Sequence, residues 1–173
     1  MTPGPQSPGR CADETGTWNT AAESASEYSQ SALYNSRIGQ HGCYDRVVFD
    51  INGSDPVGYD VRYVPLVSED GSGIPVPVAG DAVLQVVVHA PAQGSPGDES
   101  GHQPGVVFAP NGARLHGPGV LENWGCLREV RSAGSFEGQT TLAIGVRDKL
   151  PFRVDTWTDS NQTTHVTVDI ACQ

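Results

Sequence analysis

Short segments of alternating apolar and polar residues, separated by turn clusters, constrain this chain more than any other feature. In Tyr44–Ile51, Val47, Phe49 and Ile51 fall on one face, with Arg46, Val48 and Asp50 on the other. Successive side chains of a strand point to opposite sides, so a period of two buries one face and leaves the other polar. Residues 59–67 repeat the pattern, with Tyr59, Val61 and Tyr63 against Asp60, Arg62 and Val64. Residues 82–90 set Leu84, Val86 and Val88 against Gln85 and His89. Residues 127–133 read as a further strand. Residues 140–147 align Leu142, Ile144 and Val146, and residues 151–157 align Phe152 and Val154. Residues 163–171 place Val166, Val168 and Ile170 opposite His165, Thr167 and Asp169. Turn residues at 52–56, 70–73, 134–138 and 159–161 separate the runs. Residues 74–78 hold two prolines, which bar them from the middle of a sheet and mark a short edge strand. Strand–helix alternation is missing. The expectation is all-β: an antiparallel β-sandwich of about eight short strands.

Two stretches depart from this pattern. Residues 1–32 are polar and are expected to form a flexible leader ahead of a sandwich domain at 33–173. Residues 2–9 are rich in Pro and Gly, which favours an unordered segment. Residues 20–32 offer only Tyr28 as a large apolar group, so a helix there would have too thin a stripe to bury. Trp18 is expected to pack on the domain as an anchor. Residues 91–118 read as one long loop rich in Gly, Pro and Ser, with Val106, Val107 and Phe108 its one apolar run. Loops of that length are functional or unstructured.

The chain has 173 residues, the size of one domain, and ten Lys+Arg against twenty Asp+Glu give a net charge of −10. That charge argues against a nucleic-acid-binding module, which carries a basic stripe, and against electrostatic docking on anionic lipid. No apolar run approaches the roughly 20 residues of a membrane span. Residues 1–10 lack the apolar core of a signal peptide, so a secreted origin would make this chain a trimmed form.

Cys11, Cys43, Cys126 and Cys172 are widely spaced, with no C-x-x-C. An even count of this kind in an acidic chain with a single lysine fits two disulfides in an oxidising compartment. Three connectivities exist. Cys43 opens the first strand, Cys172 closes the last, Cys126 follows the long loop and Cys11 lies in the leader. Cys11–Cys43 with Cys126–Cys172 is favoured, because it staples the leader to the sheet and ties down the last strand. Cys43–Cys172 with Cys11–Cys126 stays open. Each closure would contribute about 4 kcal/mol on the chain-entropy account.

The motifs of known chemistry are missing. No nucleophile elbow, H-E-x-x-H, Walker A, dinucleotide fingerprint or EF-hand loop occurs. His41, His89, His102, His116 and His165 are not at metal-ligand spacing, so neither metal nor cofactor is expected. Asp45, Asp50, Asp60, Glu137 and Asp169 lie on or near strands, and two of them meeting as an acid/base pair would be weak grounds in so acidic a chain. The informative feature is charge on otherwise apolar strands. Arg46, Arg62, Arg147 and Arg153 take outward positions with acids close by. They form either a ladder of cross-strand ion pairs or a polar face whose guanidinium forks grip a glycan or peptide, and the two are compatible. The ligand-binding candidates are Arg46, Arg62, Tyr63, Glu137, Arg147 and Arg153.

Two phrases carry a family likeness. One is the stretch from His41-Gly42-Cys43-Tyr44-Asp45-Arg46 to Asp50, followed by Gly58-Tyr59-Asp60-Val61-Arg62-Tyr63-Val64. The other runs from Ala133-Gly134-Ser135-Phe136-Glu137-Gly138 to Arg147, then Leu150-Pro151-Phe152-Arg153-Val154. Together they resemble the AMIN-like domain of secreted actinobacterial proteins and lipoproteins, over roughly residues 32–170. The resemblance implies a non-enzymatic β-sandwich exported to the cell envelope. The better-known AMIN domains bind peptidoglycan and localise cell-wall amidases and secretion components. A Cys shortly before a Trp, here Cys11 and Trp18, is similar to that family and supports the Cys11–Cys43 pairing. Cys126 and Cys172 are additional, and the loop at 91–118 has fewer tyrosines and more glycines than the pattern. No catalytic residue is carried over.

The reading that follows is a secreted or cell-surface, non-catalytic envelope module. It would be a monomer binding peptidoglycan or another wall glycan on an exposed sheet face through Arg and Tyr side chains. Because the wall polymer is itself acidic, such binding must be local, through an Arg-bearing patch. The alternative is a surface protein-interaction module that docks an envelope protein by a strand edge or the long loop. A wall hydrolase, with Glu137 as its acid, ranks third.

Overall fold

The computed structural model describes residues 8–92 and 110–172. His102, the apolar run at 106–108 and most of the segment expected to be unordered lie outside the described residues. Among the described residues are two helices, α1 (Pro8–Thr15) and α2 (Pro118–Leu121), and twelve strands. The strands are β1 (Glu23–Ala25), β2 (Leu33–His41), β3 (Tyr44–Ile51), β4 (Tyr59–Val64), β5 (Val67–Ser68), β6 (Pro75–Val76), β7 (Ala82–Val88), β8 (Arg114–His116), β9 (Leu127–Phe136), β10 (Gln139–Val146), β11 (Phe152–Thr158) and β12 (Thr164–Ala171). One sheet runs β1-β4-β7-β10-β9-β8 and the other β11-β12-β3-β2, all antiparallel.

The two sheets bury the apolar phases read from the sequence. Val47, Phe49 and Ile51 of β3, Val166, Val168 and Ile170 of β12, and Phe152 and Val154 of β11 line one side of the core. Val61 of β4, Leu84, Val86 and Val88 of β7, Leu142, Ile144 and Val146 of β10 and Val130 of β9 line the other. Each fully buried Val, Leu, Ile or Phe contributes about 1.5–3 kcal/mol, so this interface is the main stabilising term. The antiparallel sandwich is the expected fold. The strand count exceeds the expectation because β1, β5 and β8 are two or three residues long, too short to show a period, and because β2, nine residues long, has no clean alternation.

Two local expectations need correction. The proline-bearing segment at 74–78 does not edge a large sheet. Only Pro75–Val76 is strand, and it pairs with β5 in a two-stranded sheet of its own. Val67 and Val76 of this pair pack on Ala133 and Ala143, outside the six-stranded sheet, so part of that sheet's outer face is roofed. Secondly, the end of the segment read as one long loop is structured. β8 pairs with β9, and α2, with Pro118 early in its first turn, buries Leu121. Residues 20–32 hold no helix, in keeping with their thin apolar stripe, and contain β1. β1 pairs with β4, and backbone bonds join Ser29 to His89, Leu33 to Pro91 and Gly58 to Glu27.

The β9–β10 hairpin shows how local sequence sets register. Glu137 and Gly138 both have positive φ, 53° and 82°, the requirement of a two-residue turn that matches strand twist. Gly134, at φ 97°, stands where the β9–β10 register shifts, so an extra residue is absorbed there as a bulge.

Candidate functional site

Register turns the polar phase of the four-stranded sheet into ordered rows across its outer face. One row reads Arg153, Asp169, Arg46 across β11, β12 and β3. The next reads Asp155, Thr167, Val48, Arg37, and the third Trp157, His165, Asp50, Asn35, each ending on β2.

The first row is built on Asp169, which has no solvent exposure. Arg46 forks onto it, with Nε donating at 2.7 Å to Oδ1 and Nη2 at 3.0 Å to Oδ2. Arg153 Nη2 donates to Oδ2 at 2.8 Å, while its Nε lies 3.1 Å from Asp155 without hydrogen-bond geometry. A buried carboxylate is tolerable only when paired this fully. Aromatic rings frame the row. The Arg153 guanidinium lies 4.5 Å from the Trp18 ring centroid, Trp18 meets Tyr44 edge-on at 5.4 Å, and His41 stacks on Tyr44 at 4.8 Å. Trp18 packs on the Cys11–Cys43 disulfide and Tyr44, so the leader's staple also sets this ring on the face.

The third row is a closed network. Asp50 accepts from Arg37 Nε and Nη2, both at 2.9 Å, and from Asn35 at 2.9 Å. His165 places Nδ1 2.6 Å from Asp50 Oδ1 and Nε2 2.8 Å from Asp159 Oδ2. Burial alone would raise the Asp50 carboxyl, but hydrogen bonds from Arg37, His165 and Asn35 outweigh it and hold it below the usual range. Asp159 is lowered as well, first by His165 and then by backbone N–H groups. Trp157 lies tilted over His165 at 4.2 Å and remains 50% exposed.

The structure brings together two of the six candidate ligand residues, Arg46 and Arg153. Arg62 lies on the outer face of the six-stranded sheet and forks onto Asp60. Tyr63 turns the other way. Its hydroxyl donates to Leu150 O at 2.6 Å and accepts from Leu150 N at 2.9 Å, its ring meets Phe152 edge-on, and burial pushes the phenol up to about 12. Glu137 is exposed at the tip of the β9–β10 turn. Arg147 donates to the carbonyls of Gly125 and Cys172, both at 3.1 Å, and braces the Cys126–Cys172 disulfide. The residues missed were Arg37, Asp159 and above all Trp157. The signal for Trp157 was its phase: it follows Arg153 and Asp155 at spacing two, a large aromatic on the polar side.

One cluster has the outline of a metal site. Asp45, Cys126 and Cys172 bring their ligand atoms within 4.8 Å of one another. The two sulfurs are bonded to each other, so no thiolate is offered, and Asp45 accepts the N–H groups of Cys126 and Leu127 at 2.9 and 3.0 Å.

A family model described as the AMIN-like domain matches residues 31–172. The chain belongs to the AMIN-like domain family. The match takes in both faces of the sandwich except β1, so the leader helix, Trp18 and β1 precede it. Comparisons with curated proteins and with solved structures find no match. AMIN-like domains occur in extracytoplasmic proteins associated with the cell envelope, and two disulfides fit that setting. Among the described residues of this AMIN-like domain no helix is long and apolar enough to cross a membrane.

Proposed function

We propose that this AMIN-like domain is a secreted, non-catalytic module that binds peptidoglycan or another wall glycan on the outer face of its four-stranded sheet. One observation carries the reading. The Arg153–Asp169–Arg46 row lies between two tryptophans, Trp18 over Arg153 and the half-exposed Trp157. Arg153 and Trp157 are four residues apart on β11, roughly 13 Å at strand rise. Exposed indole surface takes the apolar face of a sugar ring, and planar guanidinium and carboxylate groups take its hydroxyl and amide groups. Because each arginine is already paired with an acid, contact is through hydrogen bonds and stacking rather than net charge. This suits an acidic domain on an acidic polymer. The division into a leader at 1–32 and a domain at 33–173, and a monomeric state, belong to the same reading.

The test is sedimentation with insoluble cell wall. The wild-type chain is expected in the pellet and Trp157→Ala mostly in the supernatant, with unchanged circular dichroism. Complete recovery of the wild type in the supernatant at low salt, or a pellet indifferent to Trp157→Ala, would overturn the proposal.

A second reading rests on the free edge of β11. Residues 155–158 are exposed beyond the stretch that the leader covers, and an extended segment of an envelope protein could add a strand there. A partner cross-linked through this edge, with no wall binding, is the outcome that favours it.

A further inference from the structure

The leader touches the edge of β11 at two points. Phe152 N–H donates to Asn19 O at 2.9 Å, and Val154 N–H donates to the Glu23 carboxylate. Residues 20–22 bridge the two points, with Ala21 N–H turned back onto Asn19 Oδ1 at 2.9 Å. Beside this bridge is a cleft of about 450 Å³ lined by Glu14, Trp18, Asn19, Glu23, Phe152 and Arg153, with Ala21 and Ala22 along its rim.

We propose that this cleft binds a zwitterionic amino-acid group, such as a short free peptide or an amino acid joined to a larger polymer through its side chain. The charges define the class. Arg153, already paired with Asp169 and beside Asp155, lines the cleft from β11 with a guanidinium, while Glu14 and Glu23 offer carboxylates from α1 and β1. A purely anionic ligand would face two carboxylates, and a purely cationic one would bring no acceptor to the guanidinium. A group carrying an ammonium and a carboxylate a few bonds apart meets both at once. The indole of Trp18 and the methyl groups of Ala21 and Ala22 provide apolar contact and leave room beside the chain. Burial, and then the nearby Asp155, raise the Glu23 carboxyl above its ordinary value, while the Val154 N–H and Arg153 pull it down only in part. An ammonium ion would complete that compensation.

The proposal deepens the wall-binding reading, because the cleft is one corner of the same face and shares Trp18 and Arg153 with it. The experiment is a nuclear magnetic resonance titration of the full chain with alanyl-alanine, its N-acetyl form and its C-terminal amide. The Trp18 indole and the Ala21 and Ala22 amides are the signals followed. Saturable shifts are expected with the dipeptide, and binding at least tenfold weaker with each blocked form. Glu14→Gln, at an exposed helix position that leaves the packing alone, is expected to weaken binding severalfold. No saturable shift, equal binding of a blocked form, or an unchanged Glu14→Gln would each overturn the assignment. Dipeptide binding without wall sedimentation keeps the cleft and removes the glycan face. Sedimentation sensitive to Trp157→Ala without dipeptide binding does the reverse.

Discussion

Asp169 and Tyr63 show what single side chains do on either side of this sheet. Asp169 has no exposure and holds two guanidinia. Removing one partner of a buried ion pair strands the others, at about 3–5 kcal/mol. Asp169→Asn is therefore expected to lower unfolding stability by about 3 kcal/mol in urea titration, although it adds no cavity. Tyr63 links pH to stability from the other side. Its folded phenol is raised to about 12, above the ordinary value of about 10. The folded state therefore holds this proton more tightly than the unfolded chain. Its contribution is complete below pH 10 and is lost as pH climbs towards 12. Tyr63→Phe is expected to flatten the fall of melting temperature across that window, and an unchanged slope would reject the assignment. The sequence placed Arg62 and Tyr63 side by side as ligand candidates, yet alternation alone already put them on opposite faces. What it could not show is the partner. Arg46 and Arg153 meet Asp169 only through β3–β12–β11 register, a non-local fact.

At the scale of elements, long strands with a clean period were legible, whereas β2, whose apolar residues do not alternate, and the shortest strands were not. The expected bounds of β3 agree with the observed Tyr44–Ile51, because eight residues carry four repeats of the period. β1, β5, β6 and β8 carry one repeat or none, and only pairing with a neighbour makes them strands. The leader is the element most dependent on a single covalent bond. Cys11–Cys43 closes a separation of 32 residues, worth about 4 kcal/mol on the chain-entropy account. The double variant Cys11→Ser, Cys43→Ser is expected to lose roughly that much stability. It should also expose the Phe152 and Val154 amides to hydrogen exchange, since Asn19 and Glu23 then cover them less often. Protection unchanged at both amides would show that β1 pairing alone holds the leader.

At the scale of the molecule, the leader runs from the edge of one sheet, at Asn19 on Phe152, to the edge of the other, at β1 on β4. It closes one open side of the sandwich. Ser36 and His116, 2.9 Å apart, bridge β2 and β8 on the opposite side. The fold class could be read from patterning because both sheets use the same period. The proposed binding face could not, since its aromatic frame is assembled from a leader residue, a strand edge and a disulfide that only the folded chain brings together. That assembly also fixes how the domain would carry tension. A pull on the leader passes through the Cys11–Cys43 bond into the start of β3, and a pull on the other end arrives at Cys172, bonded to Cys126. Cys172 N–H already donates to Cys43 O at 2.9 Å, so the two entry points are neighbours. Force between the ends therefore acts across one corner, and the rest of the sandwich stays outside the loaded path.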